Sequence, residues 1–305
     1  MPAVIVVAGE ALVDLVVSGD DVVVAAPGGA PYNVARGCAR LGLPTALLAA
    51  ISTDGFGTRL ATGLAESGVD GELVQHTERP TTLAVAELDA VGGAGYRFYT
   101  AGTSAPSLTP RPLPGDTGVL VTGGLGLVLE PMATTVESTV LDAPGDVLVI
   151  VDLNCRPPAI ADRDAYVARV VRTLARADVV KASDEDLAWL RPGLALTAAA
   201  GELLDRGAGV VLVTTGATAT TIVTAAGTIA VPVEAVPVVD TIGAGDAFTA
   251  GFASWWVLAG RGRDDLDERE ALVAAVTAAH AAAAVVVGRR GADPPRRDEL
   301  PIGWS

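Results

Sequence analysis

Asp240–Phe248 reads DTIGAGDAF, set between the strand-like VPVEAVPVV of residues 231–239 and an apolar run that continues to LAG at 258–260. Gly243 and Gly245 let the backbone turn sharply, and the pattern predicts a helix beginning at about Gly245. The free amides of its first turn, with the positive end of the helix dipole, suit an anion such as a phosphoryl group in transfer. Gly243, Ala244 and Gly245 are the candidate walls of that hole. Asp246 falls in the same turn. A carboxylate there would repel a phosphate that was merely bound, whereas it suits a base taking the proton of an attacking hydroxyl. Plain helix capping is the other reading of Asp246.

Outward from that turn, short apolar runs alternate with helix-like stretches. Val4–Ala8, Ala46–Ala50, Val119–Thr122, Val147–Asp152, Val179–Lys181 and Val210–Thr214 read as buried strands. Helices are expected at Ala30–Leu41, Gly57–Ser67, Met132–Leu141, Asp164–Ala175, Asp184–Leu190 and Ala198–Arg206. Strand followed by helix, repeated, is the pattern of an α/β fold: a parallel sheet with helices on both faces. Residues 11–26 and 81–102 break the rhythm with VDLVV, DVVVAA, TLAVAELD and YRFYT, strands joined by turns. They predict a small separate sheet whose natural use is a lid, or else an antiparallel extension of the main sheet. Gly102–Gly118 is the closest approach to a hinge loop, and the proline-bearing tail from Gly291 to Ser305 is expected to wrap the surface.

Composition excludes several classes. The chain has 305 residues, 50% of them hydrophobic and 19% charged, which is ample for a core and argues against disorder. A net charge of −15 repels polyanions, so nucleic acid is not an expected partner. Cys38 and Cys155 are too few for a disulfide scaffold, and with His76 and His280 they lack metal-site spacing. Cys38 and the Trp255–Trp256 pair read as packing residues, the two histidines as a surface and a helix residue. MPAVIVVAGE has no basic region before its short apolar run, which points to a cytoplasmic location. The uncharged stretches at 207–233 and 271–288 read as strands and as a packed alanine-rich helix, so no membrane is expected as a partner. Lys181 is the sole lysine, outside any GK[ST] context, which excludes a Walker A loop. The first strand lacks a following GxGxxG, which counts against a dinucleotide-dependent oxidoreductase.

A second signal is PGGAPYNVARGCARLG, Pro27 to Gly42. Its paired glycines, Gly28 and Gly29, permit close backbone approach, and Asn33 offers a donor and an acceptor to a hydroxyl. Asp14, in GEALVDLV, follows the first strand, where ligands of parallel sheets gather. Asp14 and Asn33 beside bare backbone suit a polyol; a turn with a helix cap is the alternative.

GEALVD, GGAPYN, DLNCRP, VTTG and DTIGAGDAF occur in that order. Together they resemble the ribokinase-like (PfkB) carbohydrate kinases, most closely the fructokinases, over essentially the whole chain. The resemblance implies a ribokinase-like three-layer α/β/α, Rossmann-like domain spanning 1–305, with a β-sheet lid from about 11–26 and 81–102. It implies transfer of a phosphoryl group from ATP, with Mg2+, to a sugar hydroxyl. Asp246 then matches the base and Gly243, Ala244 and Gly245 the anion hole. Asp14, Gly28, Gly29 and Asn33 match sugar contacts, Arg156 an arginine near substrate or phosphate, and Tyr99 a lid contact. Lys181, Ser183, Thr214 and Gly216 border the nucleotide, with Ala279 and Ala283 on its adenine side. In many members a monovalent cation, often K+, sits beside the anion-hole loop on backbone carbonyls, here those of Asp240 and Ile242. The lid of many relatives builds a homodimer.

Three departures stand out. The family's Asn-x-x-Glu element, which organises magnesium through water, reads Ser183-Asp184-Glu185-Asp186, leaving Asp186 and Glu185 as its carboxylates. The aromatic–arginine run of fructokinases reads Phe98-Tyr99-Thr100, with Arg97 earlier, and Tyr32 stands where a small residue is usual and is expected to narrow the sugar pocket. These departures bear on the lid contacts and the sugar; the resemblance favours fructose as the substrate, with 2-keto-3-deoxygluconate, ribose or a nucleoside as rivals. From another class the rival is a silent sugar- or nucleotide-sensing protein.

Overall fold

The computed structural model describes residues 3–17, 23–88 and 94–304. In chain order its first strands are β1 (Val4–Ala8), β2 (Leu12–Val17), β3 (Val23–Gly28), β4 (Thr45–Leu48), β5 (Ala50–Ser52), β6 (Gln75–Thr77), β7 (Leu83–Leu88) and β8 (Ala94–Tyr99). Then follow β9 (Thr117–Gly123), β10 (Leu148–Asp152), β11 (Val179–Ser183), β12 (Val210–Thr214), β13 (Ala219–Thr224) and β14 (Gly227–Pro232). The helices are α1 (Ala30–Arg40), α2 (Gly55–Ser67), α3 (Met132–Leu141), α4 (Arg163–Leu174), α5 (Asp184–Leu190), α6 (Leu196–Asp205), α7 (Ala244–Leu258) and α8 (Arg269–Val287).

Runs such as VIVVA and LVIVD are apolar on both faces because both faces are covered. They build a sheet in the order β14-β13-β12-β11-β10-β9-β1-β4, parallel from β4 through β12 and closed by two antiparallel strands. On one face Leu120, Val149 and Val180 pack with Met132 of α3, Tyr166 of α4, Leu187 of α5 and Leu203 of α6. On the other, Ile5, Val121 and Ile150 pack with Val34 of α1, Leu60 of α2, Phe252 and Trp256 of α7 and Leu272 of α8. The result is the three-layer α/β/α arrangement that the alternation predicts.

Among the described residues, α8 is long and apolar enough by composition to cross a membrane. Its buried face, Leu272, Ala275, Val276, Ala279 and Ala282, instead closes the core against α7. The tail packs on the same helix, with Trp304 Nε1 donating to the Ala278 carbonyl at 2.9 Å. Trp256 is fully buried and Cys38 lies between α1 and α7, so both are packing residues.

A second sheet stands apart from the first, in the order β3-β2-β7-β8. It is not an extension of the main sheet. Register puts Ala26, Asp14, Ala84 and Phe98 opposite one another in one row, hence on one face. Val13, Leu83 and Tyr99 lie on the other face.

One expected strand is shorter than its sequence suggests. Of VPVEAVPVV, only Val231 and Pro232 belong to β14; the rest runs as an irregular, largely exposed segment into the GAGD turn. Pro232 and Pro237 have no N–H to give a ladder, and no neighbouring strand continues beyond Ala219 to pair with that segment.

Candidate active site

The parallel strands β1, β9, β10, β11 and β12 end at one edge of the sheet, and α7 begins over it. This is the crevice in which open α/β sheets hold ligands. Gly243 caps α7 at φ 78°, and a Cβ there would lie 2.6 Å from the Ala292 side chain, so only glycine fits the turn. Asp240 ties that turn to the loop after α8. Its Oδ1 accepts from Ile242 N at 3.0 Å and its Oδ2 from Gly291 N at 2.8 Å. The N–H groups of Val239 and Asp240 both donate to the Val287 carbonyl, bringing two carbonyl-rich loops together.

Asp246, half-buried in the first turn of α7, accepts a hydrogen bond from Asn33 Nδ2 at 2.8 Å. Burial pushes its carboxyl up to about 6; the Asn33 bond opposes that, the negative charge of Asp152 adds to it, and Lys181 and Arg156 oppose it. Asp14 reaches the same place from β2. Burial, with the Asp246 charge, raises it to about 6, against Arg156. A Cβ on Gly28 would lie 2.0 Å from Asp14 Oδ2, so the bare backbone of the glycine pair makes room for that carboxylate. Arg156 is exposed after β10, its charge felt by both acids. Asp14, Asn33, Asp246, Arg156 and the glycines at 28, 29, 243 and 245 are thus brought together.

Under the first turn of α7 lies a buried ion pair. Lys181 Nζ sits 2.9 Å from Asp152 Oδ2, which also accepts from Thr249 Oγ1 at 3.0 Å. A Cβ on Gly245 would lie 3.0 Å from Nζ, so the one lysine stands directly beneath the first turn of α7. Sequence reasoning missed Asp152 and Thr249, although opposite charges ending two adjacent apolar strands were a usable signal. Ser183 and Thr214 are register neighbours at the ends of β11 and β12, and Gly216 turns at φ 56° just beyond.

Other expected residues fall elsewhere. Tyr99 lies on the face of the small sheet opposite Asp14 and is 54% exposed; Phe98 shares the Asp14 face. Tyr32 does not narrow a sugar pocket: it is fully buried between α1 and α2, its hydroxyl donating to the Leu60 carbonyl at 3.2 Å. One residue along a helix rotates the side chain by about 100°, so Asn33 faces the crevice and Tyr32 does not. Ala279 is sealed in the core and Ala283 only half-buried. The exposed apolar side chains nearest the GAGD turn in sequence are instead Val236, Val238 and Val239, in the segment read as a strand, and Ile242 in the turn itself. A cavity of about 860 Å3 lies between residues 100–109, 127–131 and 159–172; it begins at Thr100, just beyond the end of β8, and contains none of the crevice acids.

Asp186 is committed to structure. It forms the capping box of α5 with Ser183, and its Oδ1 and Oδ2 accept from Cys155 N at 2.7 Å and Ser183 N at 2.8 Å. Glu185 beside it is exposed. Among the described residues no group of three His, Cys, Asp or Glu side chains is placed to hold a metal ion. This donor set fits a divalent ion carried by phosphates and touched through water, not one caged by protein. Glu10, inside GEALVD, also escapes sequence reasoning; its only signal there is a lone charge directly after a buried strand.

The chain matches the pfkB family carbohydrate kinases over residues 5–299. It belongs to that family. This kinase is 37% identical over 250 residues to a fructokinase of Rhizobium leguminosarum bv. trifolii, covering 80% of this chain and 76% of that protein. Its fold is similar to fructokinase with bound ATP from Xylella fastidiosa, with TM-score 0.89, 26% identity and coverage of 99% and 96% of the two chains. It is also similar to the fructokinase from Vibrio cholerae O395 bound to fructose, ADP and calcium ion, with TM-score 0.84, 26% identity and coverage of 95% and 94%. A double mutant of the Vibrio protein carries fructose, ADP and potassium ion, with TM-score 0.83, 26% identity and coverage of 96% and 95%.

Proposed function

We propose that this carbohydrate kinase is an ATP-dependent fructokinase, moving the γ-phosphoryl group of ATP to a hydroxyl of free fructose. The observation that carries the reading is the Asn33–Asp246 hydrogen bond in the first turn of α7, facing Asp14. Asp14, Asn33 and the bare Gly28–Gly29 backbone hold the sugar hydroxyls. Asp246 takes the proton from the attacking hydroxyl, whose oxygen bonds to the γ-phosphorus as the bond to the ADP oxygen breaks. The amides at Gly243, Ala244 and Gly245 receive the charge that develops on the moving group, with Lys181 beneath them and Arg156 across from them.

Magnesium carried by ATP would neutralise charge on the β- and γ-phosphates, with the exposed Glu185 the carboxylate left to reach its waters while Asp186 stays engaged in the cap of α5. Potassium would be held beside the GAGD turn by backbone carbonyls of the two loops that Asp240 ties together, residues 240–242 and 287–291. Ser183, Thr214 and Gly216 border the nucleotide, and the apolar segment Val236–Val239 replaces Ala279 as the adenine contact. The four-stranded sheet is the lid of a single domain spanning the chain, and its closure excludes water that would otherwise hydrolyse ATP. Arg97 stands on the lid face opposite Asp14, so a sugar acid would find Arg156 alone; a neutral ketose fits better. The edge strands β3 and β8, with Val23 and Val24 more than half exposed, suit a homodimer through the lid. We assign the enzyme to the cytoplasm, where ATP is its co-substrate.

The test is ADP release with magnesium and potassium across fructose, ribose, 2-keto-3-deoxygluconate, adenosine and fructose 6-phosphate. Turnover with fructose well above the others supports the reading, and preference for another acceptor replaces the substrate. ATP binding without turnover on any of them turns the reading toward a sensor.

A further inference from the structure

Glu10 follows β1 at the floor of the crevice, and none of the roles above uses it. It is 3% exposed, and its Oε2 is buried with no hydrogen-bond partner. Two glycines make room for it from different elements. A Cβ on Gly29 would lie 2.8 Å from the Glu10 carbonyl oxygen and 3.3 Å from its Cγ. One on Gly124 would lie 3.0 Å from Oε1. Gly29 caps α1 and accepts the Asn33 N–H at 3.0 Å; α1 is the helix that delivers Asn33 to Asp246. Gly124 follows β9, and the same Cβ would lie 3.7 Å from Ala30 Cβ and 3.8 Å from Asn154 Nδ2. The carboxyl is therefore lodged between the start of α1 and the turn after β9.

An oxygen sealed from water with no donor disfavours a charge, and the acid form is the one that burial supports. Burial raises the Glu10 carboxyl to about 8, the Asp246 charge adds to that, and the backbone N–H groups of Glu10, Leu125 and Gly126 oppose it. Asp246 is the charged group facing it; Asp14, Arg156, Lys181 and Asp152 act in turn on Asp246.

We propose that Glu10 is a positioning residue for the base: neutral, it braces the start of α1 so that Asn33 holds Asp246, and its ionisation shuts turnover down. A second negative charge at the crevice floor repels the ionised Asp246 from its place on Asn33 and repels the incoming phosphoryl group. The proposal rests on the reading of Asp246 as base in a fructose kinase.

The test measures kcat for fructose from pH 5.5 to 9.5 in wild type, Glu10→Gln and Asp246→Asn, each profile scaled to its own maximum. In parallel, carbon NMR of the wild-type glutamate carboxyls follows Glu10, assigned by its loss in the variant. Wild-type rate is expected to fall about tenfold per pH unit above a midpoint near 8, coincident with the Glu10 titration, and Glu10→Gln is expected to lack that limb. A merely structural carboxyl would leave the limb in place. The same alkaline limb in Glu10→Gln, or a Glu10 already ionised at pH 7, overturns the proposal. Full turnover by Asp246→Asn sinks the base assignment instead, while the NMR midpoint still reports on Glu10 independently.

Discussion

Asn33 Nδ2 donates to Asp246 Oδ2 at 2.8 Å, joining two helix starts that are 213 positions apart in the chain. The amide does two things to the carboxylate. It fixes which oxygen faces the crevice, and it favours the charged form against the desolvation that otherwise dominates. A base must be ionised before it can accept a proton, so this contact bears on geometry and on charge together.

Removing the base while keeping its shape separates binding from chemistry. Asp246→Asn is expected to lower kcat by about 10²–10⁴-fold, the usual contribution of a positioned general base. Fructose affinity by titration calorimetry should stay close to that of the wild type, since Asp14 and the glycine pair are untouched. A variant with near wild-type kcat would remove Asp246 from the mechanism.

The raised carboxyl predicts the acid side of the pH profile. With Asp246 at about 6, activity should fall as pH drops through that value and the base takes up a proton. Asn33→Ala removes the bond that favours the ionised form, so its acid limb should move to higher pH and its maximum should fall. An acid limb that stays in place in Asn33→Ala would mean that the bond has no hold on the ionisation.

Much of this was legible in the sequence. The alternation of apolar runs and helical stretches gave six strands within a few residues of their ends, because strands buried on both faces are written as unbroken β-branched runs. The GAGD and GGAPYN turns stood out because glycine marks where backbone must come close. What escaped depends on three-dimensional partners. Tyr32 and Asn33 are adjacent in sequence yet face a core and a crevice, and Phe98 and Tyr99 divide the two faces of the small sheet in the same way. Glu10 and Asp152 look like ordinary strand-end acids until the burial around them is known. The apolar segment before Asp240 imitates a strand in composition but lies beside no strand; Val233 and Val239 donate only to single carbonyls, those of Thr218 and Val287.

The turn proposed as the anion hole should prove as dependent on Asp240 as on its glycines. Asp240→Ala frees the Ile242 and Gly291 N–H groups and loosens the two loops from each other. The expected result is a lower kcat and a higher half-saturating potassium concentration, with the fructose KM little changed. A rise in fructose KM alone would place the effect of Asp240 on the sugar side.

The Asp152–Lys181 pair predicts a stability cost that is asymmetric. Lys181→Met leaves Asp152 buried with only Thr249 as a side-chain donor, and breaking a buried pair in this way costs about 3–5 kcal/mol. The double variant Lys181→Met with Asp152→Leu removes both charges and should recover much of that loss in urea unfolding. A double variant no more stable than Lys181→Met would show that the charge left behind is not what destabilises the single one.

The crevice acids should also make the fold less stable as pH rises. Asp14 and Asp246 stand at about 6 against 3.8, and Glu10 at about 8 against 4.5. Between about pH 4 and pH 8 the native form therefore keeps protons that the unfolded chain has released, and stability declines with pH over that window. By pH 8 the two aspartates have ionised, and each ionisation has cost the fold on the order of 3 kcal/mol. Asp246→Asn cannot ionise and keeps an oxygen for Asn33. It should be more stable than the wild type at pH 8, by a margin that shrinks as pH falls toward 4, where the folded carboxyl is protonated and the unfolded one has begun to take up its proton. Urea unfolding at pH 4.5, 6 and 8 reads this directly. A variant less stable than the wild type at pH 8 would mean that the carboxylate is stabilised by its partners rather than strained by burial, and the case for a poised base would have to rest on geometry alone.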